Sequence, residues 1–307
     1  MRNIDILVPG EINPDLILND PNLEPRFGQR EVLVQDFEMT IGSSSAIFAC
    51  GAARLGLKIA LIGVVGDDPL GRFMQEALRQ RNVDTSSILV SPHQKTGVSV
   101  ILSRSGDRAI LTYLGCISAL EADQIPDALL ARARHLHVCS LFLQSRLRPG
   151  LPSLFRRARN FGLTISLDTN WDPSGKWEGV LDLIAQVDVF LPNEQEALAI
   201  ASAAHLPQAL DLLGQRCPII VVKLGEKGAI ARCDNETVVV PALPVQVVDT
   251  VGAGDSFNAG FLYGYLAGFP LRKSLELAVV YGSLSTRAAG GVNAQPTLEE
   301  ALRYVSR

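Results

Sequence analysis

Residues 249–261, DTVGAGDSFNAGF, place two glycines around an alanine, then an acid, where a helical pattern is about to begin. Phe257, Phe261, Leu262, Tyr265 and Leu266 carry that pattern, so Gly252, Ala253 and Gly254 fall at or near a helix N-terminus. The first N–H groups of a helix have no intrahelical partner and its dipole is positive there, which favours an anion. Small residues let a ligand oxygen approach such a backbone closely. Asp255 would project from the first turn, beside the anion. Amides that stabilise a migrating group, next to a carboxylate that takes a proton from an attacking hydroxyl, suit phosphoryl transfer. The spacing alone is equally compatible with Asp255 doing no more than complementing the helix dipole.

The elements that must position this motif read as an α/β alternation. Apolar runs at Ile4–Val8, Lys58–Val64, His135–Leu141, Leu163–Leu167, Val187–Leu191 and Ile219–Lys223 predict buried strands. Leu70, Phe73, Met74, Ala77 and Leu78 form one helical stripe, and Ala46, Ala49, Cys50 and Ala53 a stripe of small residues suited to packing on a sheet. The alternation implies a mostly parallel sheet with helices on both faces. Arg30–Thr40 and Gly97–Tyr113 instead alternate by two, the second with a turn at Ser105-Gly106-Asp107. They predict antiparallel strands standing off the main sheet as a lid or dimer surface. With no repeat, low-complexity tract or long linker, residues 1–307 read as one domain with a small β appendage.

Composition narrows the function. Of 307 residues, 47% are hydrophobic and 20% charged, which fits a soluble chain with a sizeable core. A net charge of -4 argues against broad nucleic-acid binding. No apolar run approaches the ~18 residues of a membrane span, and the N-terminus reads as a strand rather than a signal peptide. The five cysteines lack C-x-x-C spacing, as expected of reduced thiols in a cytoplasmic protein. His135 and His137 would share a strand face, two ligands being too few for a closed metal site. The absence of G-x-x-x-x-G-K-[ST] disfavours a P-loop kinase, and the absence of G-x-G-x-x-G after the first strand a nicotinamide dehydrogenase.

Other short motifs offer chemistry beside a bland reading. In Pro192–Glu196, opening a helix, Asn193 and Glu196 share a face and could order Mg²⁺-bound waters or simply start the helix. Gly225 and Gly228 flank a turn between two strands, which a hairpin alone would explain. Asp15 follows the first strand at the end where open α/β sheets bind ligands, or forms a turn after Asn13-Pro14.

The run DTVGAGDSFNAGFL resembles the C-terminal signature of the ribokinase-like (PfkB) carbohydrate kinases. Gly10–Asp15, Gly42–Gly56, Asp67–Gly71, Pro192–Glu196 and Lys223–Gly228 resemble further family motifs, in the family's order along nearly the whole chain. The resemblance implies a three-layer ribokinase-like fold with a mostly parallel central sheet and a β lid at about 15–40 and 96–113. It implies an ATP-dependent kinase acting on the hydroxymethyl group of a sugar. Asp255 would be the base, with the amides of Ala253, Gly254 and Asp255 cradling the phosphoryl group beside Gly252. Asn13, Asp15, Gly42, Ser43 and Gln144 would hold the sugar. Asn193, Lys223, Gly225, Gly228 and Gly254 would hold ATP, with Mg²⁺ bound through water by Glu196 and Asn193. Asp249 and Val251 match part of the family's K⁺ site, the segment Thr286–Gln295 supplying the remainder, and lids of this kind imply a homodimer.

Three departures concern the substrate site. Ile47 stands where these kinases usually carry a sugar-binding asparagine, leaving Ser43, Ser44 and Ser45 to supply polar contact. Gln144 stands where the family can have an acid, and Lys223 replaces a frequent threonine, its side chain directed at phosphate or at solvent. Ile47 with Phe48 favours a nucleoside kinase as the alternative; Arg108 on the lid hairpin and the first motif suit small polar substrates. A non-catalytic sugar-binding relative is the reading outside enzymes.

Overall fold

A computed structural model describes residues 2–104 and 107–306; the turn expected at Ser105-Gly106 lies outside the described residues. The strands are β1 (Ile4–Pro9), β2 (Pro14–Asn19), β3 (Asp36–Ile41), β4 (Ile59–Ile62), β5 (Val64–Gly66), β6 (Leu89–Ser91) and β7 (Val98–Arg104). They continue as β8 (Asp107–Tyr113), β9 (Ala133–Val138), β10 (Thr164–Leu167), β11 (Val189–Phe190), β12 (Ile219–Lys223), β13 (Ala229–Cys233) and β14 (Glu236–Val240).

The main sheet has the order β14-β13-β12-β11-β10-β9-β1-β4. Pairing is parallel from β4 to β12 and antiparallel for the β12-β13-β14 end. The strands read from apolar runs are the buried ones, as expected of strands covered on both faces. One apolar cluster on the sheet gathers Phe48, Met74, Phe261 and Tyr281 from the helices Ser44–Arg54, Pro69–Gln80, Ala253–Leu266 and Leu271–Ser285. A second gathers Leu130, Phe155, Ile184 and Leu213 from Asp127–Leu130, Leu151–Asn160, Val180–Ile184 and Leu206–Gly214. Helices therefore cover both faces, the expected three layers.

The lid is a separate sheet of order β3-β2-β7-β8. Two details differ from expectation. Residues 30–35 are not strand, because their neighbour β2 ends at Asn19, opposite Asp36, and offers nothing to pair with. The central pairing, β2 with β7, is parallel rather than antiparallel. Parallel neighbours need a long connection, and here the chain from β3 to β6 supplies it.

His135 and His137 do share a face, but as core groups: both rings bond the Ser166 hydroxyl at 2.7 Å, and His135 also bonds Thr164 Oγ1. Burial holds both imidazoles below their usual pKa, His137 at about 3. Among the described residues no helix is long and apolar enough to cross a membrane.

The helix Ala253–Leu266, which carries the motif, lies between Ser44–Arg54 and Leu271–Ser285. Tyr281 of the last is fully buried and donates to the Gly51 carbonyl at 2.9 Å, pinning the two outer helices together. That carbonyl also accepts from the Leu55 amide, so Tyr281→Phe leaves no orphaned acceptor. Urea denaturation should show a loss of about 1 kcal/mol with an unchanged slope.

Candidate active site

The site forms where the parallel strands end. β1 lies between β4 and β9, so successive connections leave it in opposite directions and open a crevice at the carboxyl ends, where open α/β sheets bind ligands. Glu11 and Asp15 follow β1, Ser140 and Gln144 follow β9, and Asp168 and Asn170 follow β10. Asn193 and Glu196 follow β11, and Lys223 closes β12.

The expected helix begins at Ala253, capped by Gly252 in the left-handed region (φ 68°), where a side chain would be strained. The Ala253 amide is engaged with the Thr250 carbonyl at 3.3 Å. Among the described residues the amides of Gly254 and Asp255 have no partner, so two bare N–H groups stand at the helix start where three were expected.

Asp255 lies in the first turn, 8% exposed. Burial pushes its pKa up to about 8, assisted by Asp168 and Glu11 and opposed by Lys223 and a hydrogen bond from Ser44. Ser44 Oγ in turn accepts from Asn170 Nδ2 at 3.0 Å. The other two serines face elsewhere. Ser45 Oγ donates to Glu11 Oε2 at 2.7 Å. Ser43 accepts from the Ala46 amide and donates to the Glu11 carbonyl, so its hydroxyl caps the helix Ser44–Arg54. Burial raises the Glu11 carboxyl as well.

The Lys223 side chain is 14% exposed and is turned into a polar cluster at the end of β12. Its Nζ donates to Asp168 Oδ2 at 2.5 Å and lies 3.4 Å from Asn258 Oδ1, while Asn258 Nδ2 donates to that same Asp168 oxygen at 2.5 Å. A Cβ built on Gly254 would lie 3.7 Å from Nζ, so the ammonium flanks the first turn of the motif helix. Asn193 and Glu196 form a reciprocal capping box, each side chain accepting from the other's amide at 2.9 Å. Burial pushes Glu196 up to about 7, Asp168 adding to the rise and Lys223 opposing it. Among the described residues no three His, Cys, Asp or Glu side chains group to hold a metal directly. Gly225 and Gly228 bound the turn between β12 and β13, both at positive φ.

On the lid side, Asp15 is buried against Gly42, whose added Cβ would lie 2.1 Å from Asp15 Oδ1. Burial lifts Asp15 to about 7, Arg108 opposing the rise and Asp249 adding to it. Arg108 on β8 stands 3.7 Å from Asp249 Oδ1. Asp249 also accepts from the Val251 amide (2.9 Å) and the Gly290 amide (3.0 Å), joining the motif loop to the return segment. Gln144 donates to the Cys139 carbonyl at 2.5 Å and leaves its buried Oε1 without a partner. Asn13 is buried and bonds the Pro14 carbonyl at 3.3 Å.

Ile47, expected beside the substrate, lies against the motif loop. It is 3% exposed, its side chain packed against Gly252 and Gly291 within the core, while its carbonyl accepts from Gln295. Asp168, Asn170 and Asn258 were not singled out from the sequence. An acid two residues before an asparagine, just beyond an apolar run, was the available signal for the first two; Asn258 stood one turn beyond Gly254 inside the motif itself.

The sequence pattern of the pfkB family carbohydrate kinases matches residues 3–298. A fructokinase of Klebsiella pneumoniae is 33% identical over 284 residues, 85% of this chain and 91% of its own. A putative ribokinase II from E. coli, solved with ATP and Mg²⁺, superposes with a TM-score of 0.88 at 23% identity, covering 98% of both chains. The adenosine kinase from Sinorhizobium meliloti superposes with a TM-score of 0.85 at 26% identity, again over 98% of each chain.

The raised carboxyl of Asp255 also has a thermodynamic consequence. A carboxyl with a folded pKa above its unfolded value favours folding below about pH 4 and loses that contribution as pH rises through the folded value. The unliganded protein should lose stability between about pH 4 and pH 8. Asp255→Asn should flatten that loss, so that the variant melts above the parent at pH 8.5, as read by thermal unfolding across pH.

Proposed function

This chain belongs to the PfkB family of carbohydrate kinases and is an ATP-dependent sugar kinase; on that premise we propose that residues 1–307 form one kinase unit, with Asp255 as base, acting on the hydroxymethyl group of a small sugar. The observation that carries the reading is Asp255 itself, buried beside two unpartnered helix-N-terminal amides and hydrogen-bonded to Ser44. The sugar hydroxyl gives its proton to Asp255 as its oxygen bonds the γ-phosphorus. The bond to the β-phosphate breaks toward ADP, and the Gly254 and Asp255 amides stabilise the charge in transit.

The sugar would lie under the lid, between Asp15, Arg108 and Gln144. The buried, unpartnered Gln144 Oε1 is suited to accept from a sugar hydroxyl. ATP would lie along Lys223–Gly228. Mg²⁺ would be held through water by Glu196 and Asn193, where it neutralises phosphate charge. The fit is the burial of Glu196 beside Asp168 with only Lys223 to compensate both. A K⁺ site would use Asp249 and the Val251 backbone, where Asp249 already draws the two chain segments together.

A nucleoside acceptor is the second reading: Ile47 packs on Gly252 of the motif loop, while Phe48 is buried against the His137 ring at 4.0 Å. An ADP-release screen over pentoses, hexoses, keto-acid sugars and nucleosides should give its highest kcat/KM with a hydroxymethyl sugar. A nucleoside at the top of that ranking would overturn the acceptor. Asp255→Asn should retain ATP binding and lose ~10²–10⁴-fold in kcat.

Exposed Phe37, Met39, Leu111 and Tyr113, which share one face of the lid sheet, support a homodimer formed through that sheet. Light scattering should then give a dimer for the parent chain and a monomer for Leu111→Lys.

A further inference from the structure

Among the described residues Lys223 is the cation paired with Asp168 amid the buried carboxyls Glu11, Glu196 and Asp255, and its surroundings are unlike those of a solvated lysine. An ammonium has three N–H donors. One is directed at Asp168 Oδ2 and a second lies within 3.4 Å of Asn258 Oδ1. The third has no partner among the described residues. Beside it lies Gly254, the residue whose bare amide opens the anion site, and no side chain intervenes because Gly254 has none.

The anchoring is rigid. Asn258 stands four residues after Gly254 on the same helix, one turn along, so it holds Nζ along the helix flank. Its own amide donates to the Asp168 oxygen that Lys223 uses, closing a three-membered ring of contacts. The Asp168 carboxylate is fixed from its other oxygen by the Asn170 amide at 3.1 Å. A flexible side chain has thus lost its freedom before any ligand arrives, the condition under which a charge is most effective in a transition state.

We propose that Lys223 is a catalytic residue of the phosphoryl transfer, donating its third N–H to the migrating phosphoryl group while Asp168 and Asn258 hold the ammonium in place. The inference rests on the kinase reading above. As the acceptor oxygen bonds phosphorus and the bond to the β-phosphate breaks, negative charge spreads over the phosphoryl oxygens. The Lys223 ammonium stabilises that charge together with the Gly254 and Asp255 amides. Lys223 exchanges no proton; the hydroxyl proton goes to Asp255 and the electron pair of the broken bond leaves with ADP.

The test is steady-state kinetics on the full chain with ATP and the best acceptor from the screen, with ATP binding measured separately by calorimetry. Lys223→Met should lower kcat by ~10²–10³-fold, with the ATP dissociation constant and both KM values within about threefold. Lys223→Arg should restore at least a tenth of the lost kcat, because a cation of similar reach returns. Removing Lys223 leaves Asp168 buried and unpaired, so Lys223→Met/Asp168→Asn is made alongside, with Asp168→Asn as its reference. The double variant should turn over at least ten times more slowly than Asp168→Asn alone. Equal turnover of those two, or a Lys223→Met enzyme within threefold of the parent in kcat, overturns the assignment and leaves the kinase reading standing. A parent chain that releases no ADP with any acceptor overturns both.

Discussion

Four carboxyl side chains, those of Glu11, Asp168, Glu196 and Asp255, are buried at one end of the sheet around a single ammonium, that of Lys223. Charges of one sign cannot all be kept ionised away from water. The chain meets that constraint in three ways: an ion pair for Asp168, hydroxyl donors from Ser45 and Ser44 for Glu11 and Asp255, and raised proton affinity for Glu11, Glu196 and Asp255. The site is therefore rich in buried carboxyl oxygens set around one ammonium. It favours the arrival of cations and of groups that donate hydrogen bonds, while the amides at the helix start and the ammonium accept the anion that accompanies them.

The sheet makes this crowding attainable. Parallel strands bring their carboxyl ends to one edge, so residues as far apart as Glu11, Asp168 and Lys223 meet without any long-range motif linking them. Burial on both faces fixes the strand ends firmly, and the antiparallel β12-β13-β14 end sets the position of Lys223 through the full pairing of its strand. The helix carrying Asp255 is held between two others, so the orientation of its first turn is inherited from the core rather than from the loop before it.

What could be read from the sequence follows from how local each signal is. Strand runs and the helix start at Gly252 depend on neighbours within a few residues, and they lie where the residue pattern places them. That Asp168 meets Lys223 and Asn258 depends on strand order and on how the motif helix packs, which the short local signals at those residues do not encode. Ile47 shows the same limit from the other side: its place in a motif was legible, but the direction of its side chain follows from how the helix Ser44–Arg54 is rotated against Gly252 and Gly291. Ser43 adopts the left-handed region (φ 67°) to cap that helix, a backbone choice its residue type does not announce. The strand expected over residues 30–40 was shortened for a tertiary reason, the length of the partner it had to pair with.

Arg108 and Asp249 join the lid to the motif loop by a contact between a side chain 40% exposed and one 20% exposed. Ion pairs this wet contribute about 0–1 kcal/mol and weaken as salt is added. This contact between the lid and the motif loop is thus one that added salt weakens, and the Arg108 guanidinium is exposed enough to meet another polar group in place of the carboxylate.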